Sequence, residues 1–241
     1  MTSPEKKWYK HWFNQDYLKL YHTRNQEDAR NQIELILDTI QPEKTDAILD
    51  LGCGAGRHIS ILDSLGYTTF GLDLSETLLR IGKKEYSNLN LINGDIRHIP
   101  GRFDLILSLF SSFGYFQSDQ KNLSVFNSIY QALNPRGLFW FDFLNPHYVK
   151  SNLESHRKRK ISDQLSVTEK KKIEGNRVIK TIHIDQGNQQ KTYFESVRMF
   201  ELEELKTALT QTGFTIQKVF GDYSGSDWSN LSERTIIYCS K

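Results

Sequence analysis

Three glycines and an acid share one short stretch of this chain, Asp50-Leu51-Gly52-Cys53-Gly54-Ala55-Gly56. A tight turn needs residues that tolerate unusual backbone angles, and glycine does so without steric cost. Such a turn also lets a ligand approach the backbone, and a helix beginning there offers free N–H donors. The dinucleotide fingerprint needs a glycine at position 57, where this chain has Arg57, so that fingerprint fails. A phosphate-cradling loop fails too, because no Gly-Lys-Ser/Thr follows. Asp73 comes 17 residues after Gly56. An acid at that register in a nucleotide-binding α/β fold lies beside the glycine loop and can accept both ribose hydroxyl protons. Cys53 reads as a small turn residue rather than a nucleophile, with no histidine and acid arranged to activate it.

The surrounding elements explain how these residues could be brought together. Residues 26–40 place Ala29, Ile33, Ile36, Leu37 and Ile40 at helical spacing, and Pro42 ends the run. Residues 47–51 form a short apolar run ending in glycines, the pattern of a buried parallel strand. The spacing then predicts a helix over 57–65, a strand over 68–74 with Ser75 capping the next helix, and strands over 89–92 and 103–110. A helix over 120–133, stopped by Asn134-Pro135 and Gly137, precedes a fifth strand over 138–144. Strands and helices alternating at this spacing imply a doubly wound parallel sheet. After Pro146 the pattern changes to two-residue alternation, with turn signals at Gly175 and Gly187. That predicts an antiparallel meander of about three strands. A helix over 201–212 and strands over 214–220 and 235–239 follow. The expected organisation is an aromatic N-terminal arm (1–25), a ligand-binding core (26–146), an inserted antiparallel β lid (147–200) and a C-terminal helix and hairpin completing the core (201–241).

Residues 48–56, then Gly71-Leu72-Asp73-Leu74-Ser75, then Asn93-Gly94-Asp95-Ile96, resemble the successive motifs of class I S-adenosylmethionine (SAM)-dependent methyltransferases. The resemblance spans roughly residues 30–145 and, more loosely, the last forty. It implies an α/β, Rossmann-like, seven-stranded, mostly parallel sheet with an antiparallel hairpin at one edge. It also implies SAM as cofactor and S-adenosylhomocysteine (SAH) as product. In that family the carboxylate matching Asp73 holds the ribose and the acid matching Asp95 bonds the adenine amino group. The residue matching Ile96 packs the adenine ring, and those matching Asp50, Gly52 and Gly54 lie along the methionine and ribose. Cys53, Gly56, Leu74, Leu109 and Phe110 complete the expected cofactor contacts. The segment from Leu109 to Phe116 resembles that of small-molecule N-methyltransferases, including those acting on amino sugars. Many of these carry a histidine where this chain has Tyr115, which leaves the acceptor class open. The Asn-Pro-Pro-Tyr motif of many base-methylating enzymes is absent. In the arm, Tyr17-x-x-x-Tyr21-x-x-Arg24 resembles the same enzymes and implies that Tyr21 and Arg24 close over the methionine carboxylate.

A sulfonium is already an activated leaving group, so such chemistry needs alignment and water exclusion more than an obligatory catalytic triad. Tyr115 is the first candidate for orienting the nucleophile, with Tyr193 and His147 as further candidates from the insertion.

The bulk composition fits this reading. The chain has 241 residues, a net charge of +2, 38% hydrophobic and 25% charged residues, enough for one α/β domain with a small insertion. Two cysteines without ligand spacing exclude a zinc site or disulfide framework and suit a reducing compartment. The polar first residues predict neither signal peptide nor membrane span, and hence a cytoplasmic protein. The basic run over 156–160 and Lys170-Lys171-Lys172 are read as solvated loops and strand faces, with Glu154, Asp163, Glu169 and Glu174 compensating. A small-molecule methyl acceptor is therefore the expected partner. An RNA methyltransferase using the basic insertion, and a SAM-binding transferase moving another group, are the alternatives.

Overall fold

The computed structural model describes residues 7–21, 26–187 and 189–241. Its first elements are the short helices α1 (Tyr9–Trp12) and α2 (Gln15–Leu20), followed by α3 (Gln26–Ile40). Asn14 starts α2 by accepting the Asp16 amide at 2.8 Å. The chain then alternates through β1 (Ala47–Leu51), α4 (Arg57–Ser64), β2 (Thr68–Asp73), α5 (Glu76–Glu85), β3 (Asn90–Asn93), β4 (Phe103–Ser108), α6 (Asp119–Ala132) and β5 (Leu133–Leu144). Helix α7 (Pro146–Ser151) leads into β6 (His156–Ser162), β7 (Leu165–Glu174), β8 (Arg177–Gln186) and β9 (Gln189–Arg198). Helix α8 (Leu202–Thr212), β10 (Thr215–Phe220) and β11 (Arg234–Ser240) complete the chain.

The large sheet has the order β10-β11-β5-β4-β1-β2-β3. Strands β1 to β5 run parallel, while β11 is antiparallel to both β5 and β10. This is the expected Rossmann-like, seven-stranded, mostly parallel sheet. Strand β1 pairs with β2 on one side and β4 on the other. The strand order reverses there, and the crevice beyond the carboxyl ends of such strands is where open α/β sheets take ligands.

Strand β5 shows how the core is built. Phe139, Phe141 and Phe143 alternate onto one face and pack with Phe113, Phe126 and Phe200. Trp140 points to the other face, into a second apolar cluster with Ile33 and Ile36 of α3. All these rings are at most 3% exposed, and each fully buried side chain of this size contributes about 1.5–3 kcal/mol. Phe143, just before the chain leaves the core, and Phe200, where it returns, have ring centroids 6.3 Å apart.

Three details differ from the sequence-based expectation. Strand β5 begins at Leu133, not at 138: the chain passes directly from α6 into the sheet and shifts register opposite β4. Arg136 takes a positive φ of 66° within this stretch. Helix α7 was not signalled by periodicity; Asn145 caps it through the His147 amide, with Pro146 in its first turn. The inserted sheet has four antiparallel strands, in the order β6-β7-β8-β9, rather than about three. The basic run forms its edge strand β6, where long charged side chains discourage pairing with another chain.

The two sheets are joined through the arm. Val167, Ile182 and Ile184 of the inserted sheet pack with Trp8, Trp12 and Leu20 as a third apolar cluster. Trp12 is fully buried and donates its indole N–H to Glu195 at 2.6 Å. Asp16 accepts from Lys191 and from the Tyr193 hydroxyl, each at 2.8 Å. Burial alone would raise the Asp16 pKa, but these two donors outweigh it and hold the carboxyl below its ordinary range. No described helix is long and apolar enough to cross a membrane.

Candidate active site

The glycine loop continues directly from β1. Its amides at Gly52 and Cys53 donate to the Leu72 carbonyl of β2, at 2.7 and 3.2 Å, so the loop folds back over the neighbouring strand. Gly52 has a φ of 73°, and a Cβ placed there would lie 2.5 Å from Ser112 Oγ. The segment after β4 therefore presses directly on the loop. Gly54, with a φ of 58°, meets nothing closer than Leu78 at 3.8 Å, which leaves its backbone open towards the crevice.

Three carboxylates surround this loop in different environments. Asp73, at the end of β2, is 9% exposed; it accepts the Gly54 amide at 2.8 Å and the Ser75 amide at 2.7 Å. Burial raises its pKa and these amides oppose the rise. Asp50 is 1% exposed, and its Oδ2 has no hydrogen-bond partner among the described atoms. Burial, reinforced by the Asp73 charge and opposed by Arg57, pushes the Asp50 carboxyl up to about 7. The nearest imidazole nitrogen, His58 Nδ1, stands 3.9 Å from Oδ2. His58 Nε2 pairs with Gln32 Oε1 at 2.6 Å, and burial, aided by Arg57, lowers this histidine to about 3. Asp95 is paired with Arg97 through Nη2 at 2.5 Å and Nε at 2.9 Å, which holds it below the ordinary carboxylate range. A carboxylate has further lone pairs, so Asp95 retains capacity for another donor.

These groups line a single cleft of about 220 Å³. Asp50, Gly52, Cys53, Gly54, Asp73 and Leu74 form one wall, and Asp95 and Ile96 another. Leu109, Phe110 and Tyr115 line it from beyond β4, and Tyr21 from the arm. Gly56 does not line it; it takes a left-handed φ of 83° as the N-cap of α4. Arg24 lies outside the described residues. His147 is not in the cleft but faces Glu201 at 3.1 Å, and Tyr193 is turned towards Asp16 and Asn14. Cys53 is buried and its thiol is pushed well up by burial, so it stays protonated.

Other lining residues come from the aromatic arm, from which only Tyr21 and Arg24 were expected at the cofactor. Tyr9, Phe13, Tyr17 and Leu18 bring the arm over the cleft, and the Ser75 hydroxyl donates to the Phe13 carbonyl at 2.6 Å to fix it there. Tyr115 packs against this arm, with ring centroids 4.9 Å from Trp8 and 5.8 Å from Phe13. Its loop is clamped from the inserted sheet by Arg177, which donates to the Gly114 and Phe116 carbonyls at 3.2 and 3.1 Å. Asn122 of α6 holds Phe116 from the other side by a reciprocal pair of 2.9 Å bonds. The Tyr21 hydroxyl donates to Glu195 at 3.3 Å and accepts from Lys180, which ties the arm to the inserted sheet.

Residues 48–137, the stretch that carries the glycine loop and all three acids, match the family described as "Methyltransferase domain". Those residues form a SAM-dependent methyltransferase domain. Across 225 residues it is 24% identical to a dTDP-3-amino-3,4,6-trideoxy-alpha-D-glucopyranose N,N-dimethyltransferase of Streptomyces venezuelae, covering 87% of this chain and 93% of that protein. It is 23% identical to a glycine/sarcosine N-methyltransferase of Halorhodospira halochloris over 216 residues, 82% of this chain and 76% of that protein. Among solved structures, a SAM-dependent methyltransferase from Clostridium acetobutylicum superposes with a TM-score of 0.79 at 21% identity, covering 93% of this chain and 95% of that one. That last likeness is one of fold.

This methyltransferase's cleft fits SAM chemically. The aminoacyl end of SAM carries an ammonium, and Asp50 Oδ2 is a buried acceptor in need of a donor. The ribose needs a rigid double acceptor, and Asp73 is pinned by two amides. An open glycine backbone lies between them.

Proposed function

We propose that this methyltransferase passes the methyl group of SAM to a small-molecule acceptor enclosed by Tyr115 and the aromatic arm, which the inserted sheet backs. The observation that carries this reading is the roof. The arm docks on the inserted sheet through the third apolar cluster and covers the cleft with Tyr9, Phe13 and Tyr17. An enclosed, ring-lined end suits a small acceptor better than a polymer. The two relatives described above act, by their names, on an amino sugar nucleotide and on glycine or sarcosine.

SAM supplies a methyl group on a sulfonium, whose positive charge is lost as the acceptor's electron pair takes the methyl and SAH leaves. The protein has to align and enclose the two partners. Asp73 holds the ribose hydroxyls, Asp95 the adenine amino group, and Ile96 packs the adenine ring. Asp50 takes the ammonium, while Gly52, Cys53 and Gly54 let the methionine and ribose approach the backbone. Leu74, Leu109 and Phe110 close the apolar surface around them. Tyr115, fixed by Arg177 and Asn122 through its loop, orients the nucleophile. Tyr21 keeps the arm closed through Glu195 and Lys180.

Thermal shift with SAM, SAH and NAD tests the cofactor assignment, and labelled SAM with a panel of amines, carboxylates and hydroxylated aromatics tests the acceptor. SAM and SAH raise the melting temperature, and at least one small acceptor gains label. Stabilisation by NAD alone, or labelling of RNA with none of the small molecules, overturns the reading.

A further inference from the structure

Immediately after β4, two consecutive residues that are not glycine take left-handed backbone angles: Phe110 with φ 57° and Ser111 with φ 61°. L-residues resist this region, and they persist there only where their surroundings over-determine them. The surroundings here are specific. Asp142 of β5 accepts the Phe110 amide on Oδ2 at 2.8 Å, and its backbone carbonyl accepts the Ser111 amide at 3.2 Å. Arg234 of β11 donates to Asp142 Oδ1 at 2.8 Å and to Ser111 Oγ at 2.9 Å. Tyr223, from the β10–β11 connection, donates its hydroxyl to Asp142 Oδ2. Burial and the Asp142 charge push the Tyr223 hydroxyl well up, so it remains a donor.

Asp142 is fully buried, and a buried carboxylate with three side-chain and backbone donors is well satisfied. Its donors all converge on the turn. The turn presents the Phe110 ring to the cleft, with the guanidinium of Arg57 5.6 Å and that of Arg234 5.7 Å from the ring centroid. The next residue, Ser112, is the one that abuts Gly52. A shift in the turn therefore moves both the cleft wall and the glycine loop.

We infer that Asp142, Arg234 and Tyr223 are positioning residues for methyl transfer: they hold the Phe110–Ser111 turn left-handed and so fix the wall against which the methionine end of the cofactor rests. This inference rests on the cleft being the SAM site. Calorimetric titration of SAH and SAM into wild type, Arg234→Met, Tyr223→Phe and Arg234→Met/Ser111→Gly, beside thermal unfolding without cofactor, tests it.

Arg234→Met removes a charged donor and weakens SAH binding about tenfold or more. Tyr223→Phe leaves the ion pair intact and weakens binding in the same direction by less. Glycine enters the left-handed region freely, so adding Ser111→Gly to Arg234→Met recovers most of the lost affinity although the ion pair stays broken. A lower melting temperature with wild-type SAH affinity overturns the inference, as does a loss of affinity that Ser111→Gly leaves untouched. Should Arg234→Met fail to fold, Tyr223→Phe alone decides, and wild-type affinity there overturns the proposal. A wild type that binds neither SAM nor SAH instead removes the cofactor reading, and this inference with it.

Discussion

Asp50 and Asp73 lie on neighbouring parallel strands, both almost fully buried, yet only Asp73 has hydrogen bonds to both oxygens. Their contrast sets two expected outcomes. Asp73→Ala removes the rigid double acceptor and lowers SAH affinity by about 10- to 100-fold in calorimetry, the range for a hydrogen bond to a charged group. Asp50 is read through pH. In the cofactor-free protein it keeps its proton up to about pH 7, whereas an unfolded carboxyl releases it at about 4. The native state binds the extra proton between these values, so the Asp50 contribution to stability falls as pH rises through that window. His58 acts in the opposite sense. It stays neutral down to about pH 3 while an unfolded imidazole protonates near 6.5, so its contribution falls as pH drops through that range. The two slopes oppose each other in unfolding experiments, and cofactor binding is the cleaner readout. An ammonium against Asp50 favours its anion, so SAM affinity climbs as pH rises towards neutral and levels off above. Titrations on either side of neutral pH detect this, and Asp50→Asn abolishes the climb. The sequence made Asp73 visible through its spacing, and Asp50 and Asp95 through a family resemblance, but it could not show that Asp95 is paired with Arg97 or that Asp50 Oδ2 has no partner among the described atoms.

The alternating core was legible because parallel strands covered on both faces read as short apolar runs, as residues 47–51 and 103–108 do. Strand β6 was not, since an edge strand of lysines and arginines has no apolar alternation to find. The Asp142–Arg234–Tyr223 set was invisible for another reason: its members come from β5, β11 and a connecting loop, and only strand pairing brings them together. Gly82 belongs with these hidden features. It sits inside α5 without a positive φ, yet a Cβ there would collide with the Ala55 carbonyl oxygen of the glycine loop. Helix α5 can approach the loop only because that side chain is missing. Gly82→Ala, normally favourable in a helix, is expected to destabilise by about 1–3 kcal/mol as an overpacked contact. It also weakens SAH binding, and a melting curve with a SAH titration checks both effects.

At the scale of the whole molecule, three apolar clusters divide the work: two line the faces of the large sheet and one joins the arm to the inserted sheet. The third is the smallest and depends heavily on Trp12, which is fully buried and bonded to Glu195. Trp12→Ala is expected to cost about 3–5 kcal/mol within that cluster. Because the cavity opens in the third cluster and not in the two that line the large sheet, hydrogen exchange should rise in β8 and β9 while the parallel strands stay protected. Uniform acceleration along the chain would show that the three clusters unfold as one.

The proximity of Phe143 and Phe200 has a bearing on how such a protein diversifies. The chain leaves the core and re-enters it at nearly the same place, so the covalent connections of the inserted sheet lie at two adjoining points. A segment attached in this way can be lengthened, shortened or exchanged between relatives without disturbing the strand order that carries the glycine loop. Under the proposed function, changes in this sheet reach the acceptor end through the arm it backs and the Tyr115 loop that Arg177 clamps, while the half of the molecule that handles the methyl donor is inherited unchanged.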